Sequence, residues 1–173
     1  MTLPGPLTAV RPATRGDVPA ILDIYNEAVL HTTASYDLEP VTLASRLAWW
    51  DDKAAHGHPV FVAERGGTVL GWSTYGAFRT KPGYAHTAEH SVYVSATAHR
   101  QGLGRALMQP VITHARDAGL HVLVGGVDAS NAASIALHVS LGFEQVAHFR
   151  QVGRKFGRWL DLAFMQLLLD DRP

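Results

Sequence analysis

Residues 98–108 read AHRQGLGRALM, and the glycines at its centre, Gly102 and Gly104, decide how the surrounding chain is read. Glycine costs about 1 kcal/mol against alanine inside a helix. In exchange it lets a ligand approach bare backbone N–H groups. Upstream, AEHSVYVS alternates apolar and polar residues as a strand does. Downstream, GRALMQPVITHARDAG has the character of a helix that closes on Gly119 as its C-terminal cap. The first amides of a helix have no internal partner and sit at the positive end of its dipole. A strand, a glycine turn and a helix start therefore form a cradle for an anion such as a pyrophosphate. Arg100 and Arg105 flank the turn and could add charge-assisted contacts. A Walker loop would follow Gly104 with Lys and Ser or Thr, but Arg105 and Ala106 stand there. A dinucleotide fingerprint would need a third glycine at position 107, which is Leu107. On spacing alone, a tight turn that binds nothing remains the alternative.

Residues 1–7 read as a loose Pro- and Gly-bearing tail, and TAVRPAT as a first strand. TRGDVPAILDIYNEAVL follows, with Thr14 and Asp17 spaced as a capping box. Its Val18, Ile21, Leu22, Tyr25 and Val29 share one helical face. A second helix covers TLASRLAWWDDKAA, after Pro40. PVFVAER, GG and TVLGWSTYGAF read as strand, tight turn and strand, and RTKPGYAHT as a polar loop. Beyond the central helix come a strand, LHVLVGGV, a helix, SNAASIALHVSLGF, and a strand, EQVAHFRQV. GRKFGRW is read as a turn and WLDLAFMQLLL as the last strand. This order gives a single mixed α/β domain over residues 1–173, with a central sheet flanked by helices.

At 173 residues the chain can bury roughly 70% of its unfolded surface, so a core forms without staples. Its 47% apolar and 17% charged residues describe a globular chain and exclude a disordered one. Fifteen basic and fifteen acidic residues leave no global field for nucleic acid, and no basic amphipathic stretch or apolar span points to a membrane. There is no cysteine, which rules out disulfides, thiolate metal sites and a thiol nucleophile. The ten histidines are scattered. The closest sets are His56 with His58 and His86 with His90, the latter in a loop-to-strand region where such spacing does not converge, so no metal is expected. Arg154, Lys155 and Arg158 suit a hairpin turn better than a nucleic-acid patch. The N-terminus lacks a secretory pattern, and a cytoplasmic protein is expected.

The segment VYVSATAHRQGLGRAL resembles the acetyl-CoA signature of the GNAT N-acetyltransferases, and NAASIALHVSLGF resembles their second CoA-side motif. YNEAVLHTTASYDLEP, TAEHSVYVS and VGRKFGRWLDLAFMQL narrow the resemblance to the phosphinothricin and methionine sulfoximine acetyltransferase branch, from about Val10 to Leu168. It implies a GNAT-like domain with a mostly antiparallel sheet and acetyl-CoA as cosubstrate. It implies that the loop amides of His99, Arg100, Gln101, Gly102, Leu103, Gly104 and Arg105 hold the CoA pyrophosphate. The usual pattern puts Gln or Arg three residues before the first glycine, where this chain has His99, with Arg100 one step later. A homodimer is also implied, with the C-terminal strands near its interface.

Acetyl transfer needs a neutral amine, a polarised thioester carbonyl and a protonated leaving thiol. A carboxylate near the amine can take its proton directly or through water. Glu89, at the start of the strand that feeds the glycine loop, matches the branch's proposed base. His138 matches its histidine at the position where many relatives have a tyrosine acid, and a histidine can give or take a proton near neutrality. His138 lies seven residues after Asn131, so the two share a helical face. Asn131 is expected to touch CoA, cap its helix, or both. The strand residues Val92, Tyr93 and Val94 are expected to offer backbone groups to the pantetheine arm, with Tyr93 facing the acceptor. Arg79 and Lys81 match cations for an anionic amino acid, since Arg forks onto a carboxylate or phosphinate. Tyr36 matches an aromatic lining the same pocket. The reading is thus an N-acetyltransferase for a small amino-acid analogue. The alternatives are a non-catalytic acetyl-CoA-binding domain and an acetyltransferase for another small amine.

Overall fold

A computed structural model describes residues 8–171. The tail expected over residues 1–7 lies outside them. Seven strands form one sheet in the order β1-β2-β3-β4-β5-β7-β6. They are β1 (Thr8–Pro12), β2 (Val60–Arg65), β3 (Thr68–Ala77), β4 (Thr87–Val94), β5 (Val122–Asp128), β6 (Glu144–Lys155) and β7 (Arg158–Leu168). Helices α1 (Val18–His31) and α2 (Leu43–Ala55) connect β1 to β2. Helix α3 (Leu103–Asp117) connects β4 to β5, and α4 (Ala132–Ser140) connects β5 to β6. Among the described residues only β4 with β5 pairs in parallel, and α3 is the crossover helix that a parallel pair requires.

Local signals explain where the elements begin. The Thr14 amide donates to the Asp17 carboxylate at 2.7 Å, in the capping-box position. A 3-10 turn at Arg15–Asp17 leads from there into α1. The Arg11 guanidinium bonds the same carboxylate and holds its pKa down to about 2. Thr42 caps α2 through its side chain. Gly119 takes the left-handed conformation (φ 77°) one residue past the cap of α3, where a side chain would be strained.

Alternation then builds a core on each face of the sheet. Val60, Val62 and Trp72 pack with Ile21 and Ile24 of α1. On the other face, Ala88 and Leu123 meet Met108, Val111 and Ile112 of α3. Arg46 is buried on the first face with its guanidinium 4.1 Å above the Tyr25 ring and 4.8 Å from Trp49. Stacking on these rings keeps the charge in contact with π density.

The C-terminal hairpin departs from the sequence reading. GRKFGRW is not a seven-residue turn. Strand β6 runs on to Lys155, and only Phe156 and Gly157 turn, both at positive φ. The extension was hidden because the β6–β7 register shifts between Phe149 and Gly153, where Gln151 is left-handed. The Gln151 amide donates to Asp161, which anchors the bulge. Lys155 reads as a solvent-facing turn residue, yet it is 4% exposed and its ammonium donates to the Ser35 carbonyl at 2.7 Å. Among the described residues no helix is long and apolar enough to cross a membrane.

Candidate active site

Strands β4 and β5 are paired over only three positions, Thr87 with Val122, Ala88 with Leu123, and Glu89 with Val124. Past that point they part, and β5 keeps only β7 as a partner. A pocket of about 320 Å³ opens in the gap. Its walls are β4 from Glu89 to Tyr93, the end of β5 from Gly126 to Asp128, the α4 residues Asn131, Ser134 and His138, and the α1–α2 loop from Thr33 to Tyr36.

Two successive glycines of β5 make room on opposite faces. A Cβ on Gly126 would stand 3.3 Å from the Leu162 side chain and 3.6 Å from the Glu89 carboxylate, and a Cβ on Gly125 would stand 2.6 Å from Nε2 of His90. Position 125 therefore has to be glycine for His90 to lie where it does. The meaning of VGGV was not visible in the sequence, because the closest neighbours of these glycines come from strands β4 and β7.

Glu89 and Asp128 border the same pocket in opposite environments. Glu89 is half-buried, and no hydrogen bond or ion pair to its carboxylate occurs among the described residues. Burial alone pushes its pKa up. Asp128 is buried as well, but Thr33 and Ser130 donate to its carboxylate. Those bonds outweigh burial and bring its pKa below the usual range. Two carboxylates pushed apart in this way mark different duties. Asp128 ties the α1–α2 loop to β5, while burial makes Glu89 the stronger base of the two.

His138 comes to the pocket's inner wall, 2% exposed, with both ring nitrogens occupied. Its Nδ1 donates to the Ser134 carbonyl at 2.7 Å, and its Nε2 lies 2.8 Å from Nε2 of His90. Burial lowers its pKa, which favours the neutral ring. His90 was missed as a site residue. Its signal was present in the alternation, which puts it on the core face of β4 between Ala88 and Val92, where a polar ring needs a partner.

Asn131 caps α4, its side-chain oxygen accepting from the Ser134 amide at 3.1 Å, and it also lines the pocket. Tyr93 faces the pocket, stacked on Trp72 at 4.9 Å, while Val92 packs on the opposite face. The Tyr36 ring lies over Gly153, where a Cβ would come within 2.8 Å of it, and its hydroxyl points to the Asp161 carbonyl at 3.5 Å.

At the glycine loop, the first helical bond of α3 runs from the Ala106 amide to the Gly102 carbonyl at 3.1 Å. The amides of Leu103, Gly104 and Arg105 precede it and have no partner inside the helix. Gly102 is left-handed (φ 76°) with nothing within 4 Å of a would-be Cβ, so the approach to these amides is open. Gly104 answers to a different need, since a Cβ there would stand 2.9 Å from the Leu137 side chain of α4. Around the loop, a His99 ring nitrogen donates to the Val94 carbonyl at 2.9 Å, and the Gln101 side-chain oxygen accepts from Arg65. Arg100 is exposed and left-handed. Arg105 turns away from the loop and binds the carbonyl and hydroxyl of Ser140.

Arg79 and Lys81 are exposed and outside the pocket's lining. The Arg79 guanidinium stacks on Phe78 and Tyr84. Phe78 in turn meets Phe164 edge-on at 6.3 Å, and Phe164 borders Gly126. Arg79 thus stands on a line of aromatic rings leading to the Glu89 end of the pocket.

Residues 19–143 match the family model described as acetyltransferase (GNAT) family. A Pseudomonas aeruginosa protein named L-methionine sulfoximine/L-methionine sulfone acetyltransferase is 51% identical over 163 residues, covering 94% of this chain and 95% of its own length. A Salmonella typhimurium structure determined with its cofactor acetyl-CoA aligns with a TM-score of 0.93 at 48% identity, over 95% of each chain. A GNAT-superfamily phosphinothricin acetyltransferase from Sinorhizobium meliloti, in complex with acetyl-CoA, aligns at 0.90 and 33% identity, over 93% of this chain and 88% of its own.

Proposed function

This chain belongs to the acetyltransferase (GNAT) family, and on that premise we propose that it moves an acetyl group from acetyl-CoA to the amino group of a small L-amino acid. The acceptor's side chain is of the sulfoximine, sulfone or phosphinate type. The observation that carries this reading is the Glu89 carboxylate, raised in pKa by burial and without a hydrogen bond or ion pair among the described residues. It stands in a pocket opened by the parting of β4 and β5.

The open amides of residues 103–105 would hold the CoA pyrophosphate at the helix start. The edge of β4 beyond Glu89, unpaired with β5, offers backbone groups to the pantetheine arm and the thioester carbonyl. Glu89 takes a proton from the acceptor's ammonium, directly or through one water. The free amine then bonds to the acetyl carbon as the carbon–sulfur bond breaks. One N–H proton passes to the departing sulfur, and the proton on Glu89 returns to solvent. Arg79, at the outer end of its aromatic line, is our candidate fork for the acceptor's carboxylate.

The test is thiol release from acetyl-CoA with methionine sulfoximine, methionine sulfone and phosphinothricin supplied separately. The expected order puts the sulfoximine or sulfone first. Absence of release with all three, alongside tight acetyl-CoA binding, would favour the non-catalytic reading.

We also infer a cytoplasmic homodimer. Support for the dimer comes from the large apolar side chains left exposed on the last hairpin, among them Phe149, Val152 and Trp159 at 46%, 54% and 59%. Light scattering is expected to give twice the chain's mass. A monomer at micromolar concentration would leave that face unexplained.

A further inference from the structure

In the neutral state the bond to Ser134 and the contact between the two rings allow one arrangement of protons, which leaves Nδ1 of His90, buried without a hydrogen-bond partner, unprotonated. The Ser134 carbonyl can only accept, so His138 carries its proton on Nδ1. A neutral His138 then presents a lone pair at Nε2. The 2.8 Å contact to Nε2 of His90 is a hydrogen bond only if His90 carries its own proton there. The rings lie 5.0 Å apart at 28°, each in a T-shaped contact with Phe143 at 5.2 Å, and Gly125 leaves the space they fill.

We propose that His90 is a positioning residue which, by donating from Nε2, holds His138 as a neutral imidazole in a single tautomer at the wall of the acetyl-transfer pocket. Charging either ring would bury a cation that, among the described residues, has no carboxylate hydrogen-bonded or ion-paired to it. Helix α3 presents Met108, Val111 and Ile112 to this core, and α4 with its cap brings the neutral Asn131, Ser134 and Ile135. The other titratable groups on the pocket are Glu89 and Asp128, with Tyr36 and Tyr93. Burial and the neighbouring ring push His90 down to about 3, in keeping with a pair that stays neutral while the enzyme works. The departing sulfur then takes its proton from the amine nitrogen, and His138 serves as a fixed uncharged wall.

The proposal rests on the acetyl-transfer reading for its functional half, and its structural half is read on the resting enzyme without turnover. Nitrogen NMR of ring-labelled protein from pH 5 to 9 is expected to show His138 protonated at Nδ1 throughout, with no titration. In His90→Ala that signature is expected to give way to mixed tautomers and a midpoint inside the range. His90→Gln, whose amide can donate to the same nitrogen, is expected to keep it. Gly125→Ala changes no titratable group but displaces the His90 ring, and it is expected to behave as His90→Ala does. With the pair disturbed, kcat is expected to fall by roughly 10- to 100-fold while the KM for acetyl-CoA holds, as misplacement of about 1 Å can cost that much. A wild-type His138 that titrates between pH 5 and 9, or a tautomer unchanged in both His90→Ala and Gly125→Ala, overturns the assignment. Altered tautomers with unchanged kcat would leave the lock in place and remove its part in the reaction. If His90→Ala does not fold, His90→Gln and Gly125→Ala decide the same question.

Discussion

Glu89→Gln is expected to lower kcat/KM for the acceptor by about 10²-fold or more at pH 7, the range for loss of a positioned general base. Glutamine keeps the shape of the side chain, and no protein hydrogen bond is lost with the carboxylate. The folded protein should therefore persist, with acetyl-CoA affinity unchanged. The pH profile separates loss of a base from loss of shape. Burial raises the Glu89 pKa, so the wild-type rate should fall as pH drops through a midpoint above the ordinary carboxylate range. In the glutamine variant that limb should vanish. Stability should move the other way. A carboxyl whose folded pKa is raised binds its proton more tightly in the folded protein than in the unfolded chain. Ionising it therefore costs stability above that pKa, and the neutral amide removes the cost. Thermal unfolding at pH 7 is expected to give the variant an equal or higher Tm. An unchanged rate at every pH would take the base role away from Glu89.

Gly102→Val is the second large effect, and Gly104→Ala is its contrast. Gly102 has φ 76° with open space beside it. A side chain there meets the left-handed penalty of roughly 1–2 kcal/mol, and valine's branch stands before the amides of residues 103–105. The Kd for acetyl-CoA should rise about tenfold or more by calorimetry, since 1.4 kcal/mol is tenfold in affinity. Gly104 is helical, and an added methyl meets only the movable end of Leu137. Gly104→Ala should therefore leave the Kd within about threefold. Equal losses at both positions would mean that the loop serves packing between α3 and α4 rather than the ligand.

The element order was legible because each helix and strand carries its own local signal. Thr14 with Asp17, Gly119 after α3, and the alternation of AEHSVYVS each act within a few residues of themselves. What stayed hidden depends on contacts across the chain. Nothing near Gly125 in sequence says that His90 will lean over it, and nothing near Arg105 says that Ser140 will claim its guanidinium. The length of β6 was concealed by a bulge that breaks alternation, and Lys155 by a carbonyl 120 residues away. Glu89 could be named as a candidate because the resemblance singles it out and it stands on the strand that feeds the glycine loop, thirteen residues before Gly102. Its lack of a partner, which makes it free to act, could be read only from the folded pocket.

The central claim is that acetyl leaves sulfur for the amino nitrogen of a small amino acid within this pocket. Its most direct test is to incubate the protein with acetyl-CoA and L-methionine sulfoximine and to identify the product by mass spectrometry and NMR. The account predicts free CoA and one acetyl group on the α-nitrogen of the amino acid. It also predicts that neither forms with Glu89→Gln on the same timescale. Intact acetyl-CoA bound tightly beside unmodified acceptor, with sulfone and phosphinothricin behaving alike, would contradict it.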